Sequence, residues 1–367
     1  MNHLAPDFKT LSFSQREAVL KSLFLIARSS EQQRPSGITQ LTLIHAIGTT
    51  LLGISLDDSE IDLEDSALDS LHSELRTVST PIRHRLFQLF ILVEMILDPP
   101  PKDVSSKLRY AAAILNVDDG FIDVLREYSQ SAYGIAATDL HRKGYLGKPG
   151  MVEKGSEMMR CNKTLTDPFE VDEDDPVLLS QWLELENCNP DTLGRKIWEY
   201  YMGRGFVFTG QKGSVNPTIA QHDWVHLLAD YSTTIEGELE VFSFIGSAIP
   251  DLKGFSFLLT IVALFETGNL ESWGGGALTA DPGHLQKEGM PERVADAIRR
   301  GRVCNFDVMY GIDYFNYKDE HVDNVRKMLN IIPKDFNVTS PGVWHPEGIT
   351  EYQRENGDHD YQPPLAA

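Results

Sequence analysis

This chain of 367 residues reads as an all-α protein: an N-terminal helical bundle followed by a second, mainly helical, metal-binding domain. Three observations carry that reading. Apolar residues recur at three- and four-residue intervals, the spacing that places them on one helix face, and strand-like alternation is missing. Capping residues stand at the expected helix starts and proline at a main stop. In the second half, four good divalent-metal ligands, His222, Asp223, His226 and Glu238, fall within seventeen residues. The predicted layout is a helical bundle over 1–140, a linker over 141–175, the second helical domain over 176–335 and a polar C-terminal tail over 336–367.

The bundle is justified helix by helix. Ser14 with Glu17 has capping-box spacing, and Leu20, Leu23, Phe24 and Ala27 form the inner face of the helix it opens. Leu41, Ile44, Ile47, Leu51 and Leu52 predict a second helix, and Leu68, Leu71 and Leu75 a third. A fourth, strongly apolar, spans 82–97 and stops at Pro99, Pro100 and Pro101, because proline has no amide hydrogen and clashes with the preceding turn. Residues 104–115 and 121–128 complete six helices. Two acidic stretches lie between them: Asp57, Asp58, Glu60, Asp62, Glu64 and Asp65, and then Asp118-Asp119-Gly120. In the first, Leu63 stands where a calcium loop needs glycine and Asp69 where it needs glutamate, so capping and solubility account better for both. The arrangement faintly resembles the tellurite-resistance B-like helical domain, thought to bind metal through acidic residues, but without a diagnostic motif.

Residues 144–175 mix Gly, Pro, Lys and Met with the acidic run 170–175, a linker composition. Beyond it, Asn189 and Pro190 predict the start of a helix whose apolar stripe is Leu193, Ile197, Tyr200 and Tyr201. His222 and His226 are one helical turn apart, roughly 40° in projection, and Asp223 lies about 60° from His226, so all three can aim at one point. The run Tyr231-Ser232-Thr233-Thr234 breaks this helix, and Thr233 with Glu236 predicts a capping box that starts the next helix near Thr234. Glu238 then sits near its first turn. A mixed imidazole and carboxylate set suits zinc, manganese or iron better than calcium. A helix with one hydrogen-bonded core histidine and a solvated acidic face gives similar letters, and spacing alone leaves both readings open.

Composition bounds the rest. Hydrophobic content of 41% and charged content of 24% are ordinary for a globular chain. A net charge of -21 argues against nucleic acid and against broad adsorption to anionic membranes. Three cysteines, Cys161, Cys188 and Cys304, form no C-x-x-C pair, so neither a disulfide framework nor a thiolate zinc site is predicted. The first ten residues match neither a secretory nor a transit pattern, and the expectation is a cytoplasmic protein. The apolar stretches 241–249 and 255–265 are shorter than the roughly 18 to 20 residues that cross a bilayer; they are either core helices or the walls of a prenyl-lined groove. The Gly274-Gly275-Gly276 run lacks the lysine ending of a phosphate loop. Arg299, Arg300 and Arg302 can bind a carboxylate, a phosphate or an acidic lipid head group through arginine's planar fork, or be solvated or paired with nearby acids.

The second domain resembles the coenzyme Q biosynthesis protein four family, known for a His-Asp-x-x-His-x(11)-Glu signature. Here that signature is His222, Asp223, His226 and Glu238, with eleven residues from Leu227 to Gly237 in the gap. Asn189-Pro190-Asp191-Thr192-Leu193-Gly194-Arg195 resembles the family's lead-in, and Gly205-Phe206 the end of the following helix. Ala297-Ile298-Arg299-Arg300-Gly301-Arg302 and Val325-Arg326-Lys327-Met328-Leu329-Asn330-Ile331 resemble two later elements. Asp230 and Ser232 depart from the pattern, standing where many members have glycine. This leaves the shape of the turn open and makes Asp230 either a fifth ligand or a solvated side chain.

The resemblance implies an all-helical, often dimeric protein of ubiquinone assembly. It implies oxidative removal of the carboxyl group from a prenylated 4-hydroxybenzoate intermediate, and membership of a membrane-associated complex with other quinone-biosynthesis proteins, peripheral on the inner face of the membrane. A divalent metal, zinc foremost, would be held by His222, Asp223, His226 and Glu238, with Arg302 or its neighbours steering the substrate carboxylate. Two other functions fit the letters. One is a metal-dependent phosphohydrolase, with His141 and Asp313 as nominees for its further ligands; the other is a non-catalytic prenyl-lipid-binding scaffold.

Overall fold

A computed structural model describes residues 6–31, 38–56, 66–97, 100, 104–161, 173–268 and 281–365. Among these the regular structure is helical, and the sole pairing of strand type is an isolated bridge between Thr192 and His321. The all-α expectation holds. Residues 57–65, 162–172 and the Gly274-Gly275-Gly276 run lie outside the described residues, as do Pro99 and Pro101.

The helices follow in chain order as α1 (Pro6–Lys9), α2 (Phe13–Glu31), α3 (Ile38–Ala46), α4 (Ser66–Leu75), α5 (Thr80–Met95), α6 (Val104–Leu115), α7 (Phe121–Ser129), α8 (Tyr133–Lys143) and α9 (Met151–Met158). Then come α10 (Pro176–Leu183), α11 (Leu193–Arg204), α12 (Pro217–Ala229), α13 (Ile235–Ala248), α14 (Phe255–Ile261), α15 (Met290–Cys304), α16 (Val322–Met328) and α17 (Glu351–Asn356). α3 continues as a wider π-turn, Ile47–Leu52, as does α14 through Val262–Glu266.

Three starts differ from expectation by a residue or more. The reciprocal bonds that open α2 join Ser12 and Gln15, while Ser14 instead donates to Glu74. α11 is capped by Thr192, whose hydroxyl accepts from the Arg195 amide, because Asn189 to Thr192 close a turn first, with Asp191 at positive φ. α13 is capped by Thr234 rather than Thr233. The Asp118-Asp119-Gly120 stretch behaves as a cap: Asp119 accepts from the Phe121 amide and from His84.

Burial explains how the halves meet. The largest apolar cluster contains Leu20, Leu23, Phe24, Leu71, Phe87 and Leu108 of the N-terminal helices, and also Phe255, Leu259, Phe265, Val294 and Ile298. The core therefore runs across the expected boundary. Part of the expected linker is the helix α9, whose first residue, Met151, and the residue after its last turn, Met159, are buried. Both apolar stretches of the second half are core: Phe244, Ile245 and Ala248 on α13, and Leu258, Leu259 and Ala263 after it, have no more than 1% exposure. No described helix is long and apolar enough to cross a membrane.

The most extensive helix pair is α13 against α15. Gly301 permits their close crossing, since a β-carbon there would lie 2.3 Å from the Phe244 carbonyl oxygen. Beside the crossing, Arg293 of α15 meets the buried Glu240 of α13 at 2.6 Å. Because the obstacle is backbone rather than a side chain that can turn away, Gly301→Ala is expected to destabilise the protein by about 1–3 kcal/mol. Urea unfolding checks this, and an unchanged midpoint would contradict the crossing geometry.

Candidate metal centre

α12 and α13 supply the ligands. Asn216 caps α12 by accepting from the Thr218 amide, and Pro217 occupies the first turn, where no amide hydrogen is needed. α12 ends at Asp230, which adopts the left-handed conformation with φ 59°. That is the backbone state most residues avoid and glycine accepts freely, and aspartate is among the few others that tolerate it. The glycine expected from the resemblance is thus replaced by a residue that keeps the turn. Asp230 is not a fifth ligand of the group: its Oδ1 accepts from the Val343 amide at 2.9 Å.

The reversal brings three side chains together. Ligand atoms of His222, His226 and Glu238 all lie within 4.8 Å of one another, the one such group among the described residues. His226 Nε2 is 3.2 Å from Glu238 Oε1, and His222 Nε2 is 3.6 Å from Glu238 Oε2. His226 is fully buried, whereas His222 and Glu238 keep 13% and 19% of their side-chain surface. The group therefore has one open side.

The other nitrogens fix the tautomers. His222 Nδ1 faces the Ile219 carbonyl at 2.5 Å and His226 Nδ1 faces the Tyr231 carbonyl at 3.3 Å. A carbonyl only accepts, so Nδ1 carries the hydrogen and, in the neutral ring, Nε2 presents its lone pair towards Glu238. Metal-binding histidines are held in this way, with the second nitrogen donating to a backbone carbonyl. Despite the 3.2 Å contact with Glu238, His226 Nε2 has no aligned hydrogen-bond partner. A buried nitrogen lone pair without a donor is a costly arrangement that a cation would relieve. The residues fit a divalent ion.

Asp223 stands apart from that group. Its Oδ1 is 3.6 Å from His222 Nε2, but its carboxylate accepts from the Tyr200 hydroxyl at 3.3 Å and the Tyr201 hydroxyl at 2.7 Å. Burial and this carboxylate hold both tyrosines well above their ordinary pKa, so they remain donors. The structure thus brings together three of the four expected ligands and leaves the fourth beside His222 Nε2, outside that group.

Arg299, Arg300 and Arg302 are buried and engaged in the interior. Arg299 pairs with Asp296 at 2.6 Å, Arg300 donates to the Ile332 carbonyl and lies over the rings of Tyr231 and Phe244, and Arg302 donates to the Ser247 carbonyl. The expected anion-binding fork is turned inward. His141 and Asp313 do not join the imidazole group, and Asp313 pairs with Arg160.

Sequence reading missed the support behind the site. Tyr200 and Tyr201 stood on an apolar stripe with their hydroxyls unassigned. Arg204, Thr233 and Gln353 form one buried hydrogen-bonded set. Phe242, whose ring centre is 5.2 Å from that of His222, is partly buried. Comparison with family models, with curated proteins and with solved structures finds no match to this chain.

Charge in the metal-free group is mutually supporting. Burial disfavours the Glu238 carboxylate, but His226 and His222 outweigh it and hold the group well below the carboxylate range. Burial likewise opposes the charged form of His222, but Asp223, Glu238 and the Ile219 carbonyl raise it from 6.5 to about 9. A raised folded pKa adds stability that is complete below 6.5 and disappears as pH climbs through about 9. The metal-free protein should therefore lose thermal stability across that window, and His222→Gln should flatten the slope; parallel melting profiles for the two proteins would contradict the assignment. Asp223→Asn should weaken zinc binding by about 10- to 100-fold without abolishing it, the effect of an outer residue rather than a ligand. Isothermal titration calorimetry checks this, and complete loss of binding would make Asp223 a ligand.

Proposed function

We propose that this chain holds a divalent cation, zinc foremost, on His222, His226 and Glu238, and that it acts in the assembly of ubiquinone or a related prenylquinone. The proposed reaction is oxidative decarboxylation of a prenylated 4-hydroxybenzoate intermediate. The observation that carries the reading is the convergence of two imidazole Nε2 atoms on one carboxylate, each ring with its Nδ1 committed to a backbone carbonyl. The resemblance in four ordered sequence elements supplies the substrate class. The partly buried Phe242 beside His222 suits an aromatic ring with an apolar tail.

The residues divide the work. When bound, the cation supplies Lewis acidity and neutralises a carboxylate or phenolate. Glu238 lowers the net charge of the site, the Ile219 carbonyl keeps His222 in place from behind with Asp223 beside its Nε2, and Phe242 offers a ring face to the substrate. Exchange of a carboxyl for a hydroxyl releases carbon dioxide and removes two electrons from the ring carbon. Water therefore supplies the hydroxyl oxygen, and a two-electron acceptor, such as dioxygen reduced to hydrogen peroxide, takes the electrons. Other quinone-biosynthesis proteins are the proposed partners, with contact at the membrane surface and homodimer formation as part of the same reading.

His226→Ala is the direct test. The variant should contain no stoichiometric zinc by elemental analysis and release no labelled carbon dioxide from a carboxyl-labelled prenyl-4-hydroxybenzoate, while the wild type does both. Full turnover by metal-free His226→Ala protein would overturn the metal role. Co-purified prenyl lipid detected by mass spectrometry, with bound zinc and no carbon dioxide release by the wild type, would replace the enzyme by a lipid-holding scaffold.

A further inference from the structure

The C-terminal segment, expected as a polar tail, folds back onto the reverse side of the imidazole group. Val343 is fully buried, α17 is closed by a capping box between Thr350 and Gln353, and the Asp358 amide donates to the Met202 carbonyl. Its seat is tight. A β-carbon at Gly205 would lie 2.4 Å from the Asn356 carbonyl oxygen, and one at Gly203 2.5 Å from that of Tyr361.

This segment grips the turn between α12 and α13 at both ends. At the first end, the Val343 amide donates to Asp230 Oδ1 at 2.9 Å. At the other, the Thr233 amide donates to the Gly348 carbonyl at 2.9 Å, and the Thr233 hydroxyl meets Gln353 Oε1 at 2.5 Å. Arg204 links the two contacts: its Nε donates to Thr233 Oγ1 at 3.2 Å and its Nη2 to the Val343 carbonyl at 2.5 Å. Arg204 is 1% exposed, and its guanidinium lies 4.1 Å from the centre of the Tyr200 ring. Tyr200 in turn donates to Asp223 and stacks on His226.

We propose that residues 341–361 form a strap that fixes the separation of His226 from Glu238, with Thr233 and Arg204 as the positioning residues through which it acts. The proposal rests on the metal reading above. The strap touches neither imidazole nor Glu238 through these bonds; it sets the turn that joins them. Removing a contact in the strap should then change metal affinity in protein that remains folded.

Cobalt(II) is the probe, since its visible absorption reports coordination geometry. Thr233→Val keeps the side-chain shape and removes the hydroxyl, Thr233→Ser restores the hydroxyl, and Gln353→Ala removes the partner from the strap itself. In the full chain, at a temperature where each protein is folded by circular dichroism, Thr233→Val and Gln353→Ala should bind cobalt about 10- to 100-fold more weakly with an altered spectrum. Thr233→Ser should return to the wild-type values. Wild-type affinity and spectrum in both Thr233→Val and Gln353→Ala would overturn the strap and leave the metal reading standing. Absence of cobalt uptake by the wild type would overturn both. Should Thr233→Val fail to fold, Gln353→Ala decides alone, because its side chain lies on a short C-terminal helix.

Discussion

The site depends on a reversal of chain direction between His226 and Glu238. Were α12 to continue as one straight helix, the step of twelve positions from His226 to Glu238 would separate them by about 18 Å along its axis. The left-handed Asp230 and the cap at Thr234 instead turn the chain back, and the imidazole and carboxylate come within 3.2 Å. The reversal also places each group in a favourable field. His226 lies in the last turn of α12, where the helix end carries partial negative charge, and Glu238 near the start of α13, where it carries partial positive charge. The turn therefore does two things at once: it shortens the distance and sets the Glu238 carboxylate at the helix terminus that favours negative charge.

Behind the ligands, polar groups are satisfied by a set of aromatic donors. The buried Asp223 carboxylate would be unstable alone, since desolvation without partners outweighs most of what a carboxylate gains nearby. Two tyrosine hydroxyls and the edge of His222 satisfy it. Tyr200 is held in turn between the Arg204 guanidinium and the His226 ring. A hydrogen-bonded network in a poorly polarisable interior fixes one arrangement, because each displaced member leaves another unpaired. The ligand rotamers are thus set from the rear, and the open side is left to His222, Glu238 and Phe242.

The fold and the ligand positions were legible because they rest on local spacing. The helices around Leu20, Leu71 and Phe87, the break after His226 and the restart near Thr234 follow from periodicity, capping and hydroxyl competition, all of which act within a few residues. Cap positions shifted where a neighbouring residue offered the same chemistry, as Ser12 did for Ser14 and Thr234 for Thr233. Asp223 falls outside the three-residue group for a different reason. Helical projection gives the direction of a side chain but not the competitors waiting there, and Tyr200 and Tyr201 arrive from the preceding helix, α11. The arginines near Arg300 and the tail around Val343 were harder still. Their partners, Tyr231, Ile332 and Arg204, lie far along the chain, and no spacing rule carries information over that range.

The same long-range packing accounts for an apparent paradox of charge. A chain with net charge of -21 sends cations inward: Arg204, Arg299, Arg300 and Arg302 are all buried. Arginine is suited to this because its delocalised charge is weakly hydrated and its flat face stacks on aromatic rings. Arg204 uses Tyr200 and Trp344 in this way, and Arg300 uses Tyr231 and Phe244. Lysine, a compact and strongly hydrated charge, would forfeit the stacking and one or more of the carbonyl contacts at each position. Each arginine withdrawn from the surface leaves the surface more acidic than composition alone implies. Approach to an anionic membrane through charge is then disfavoured.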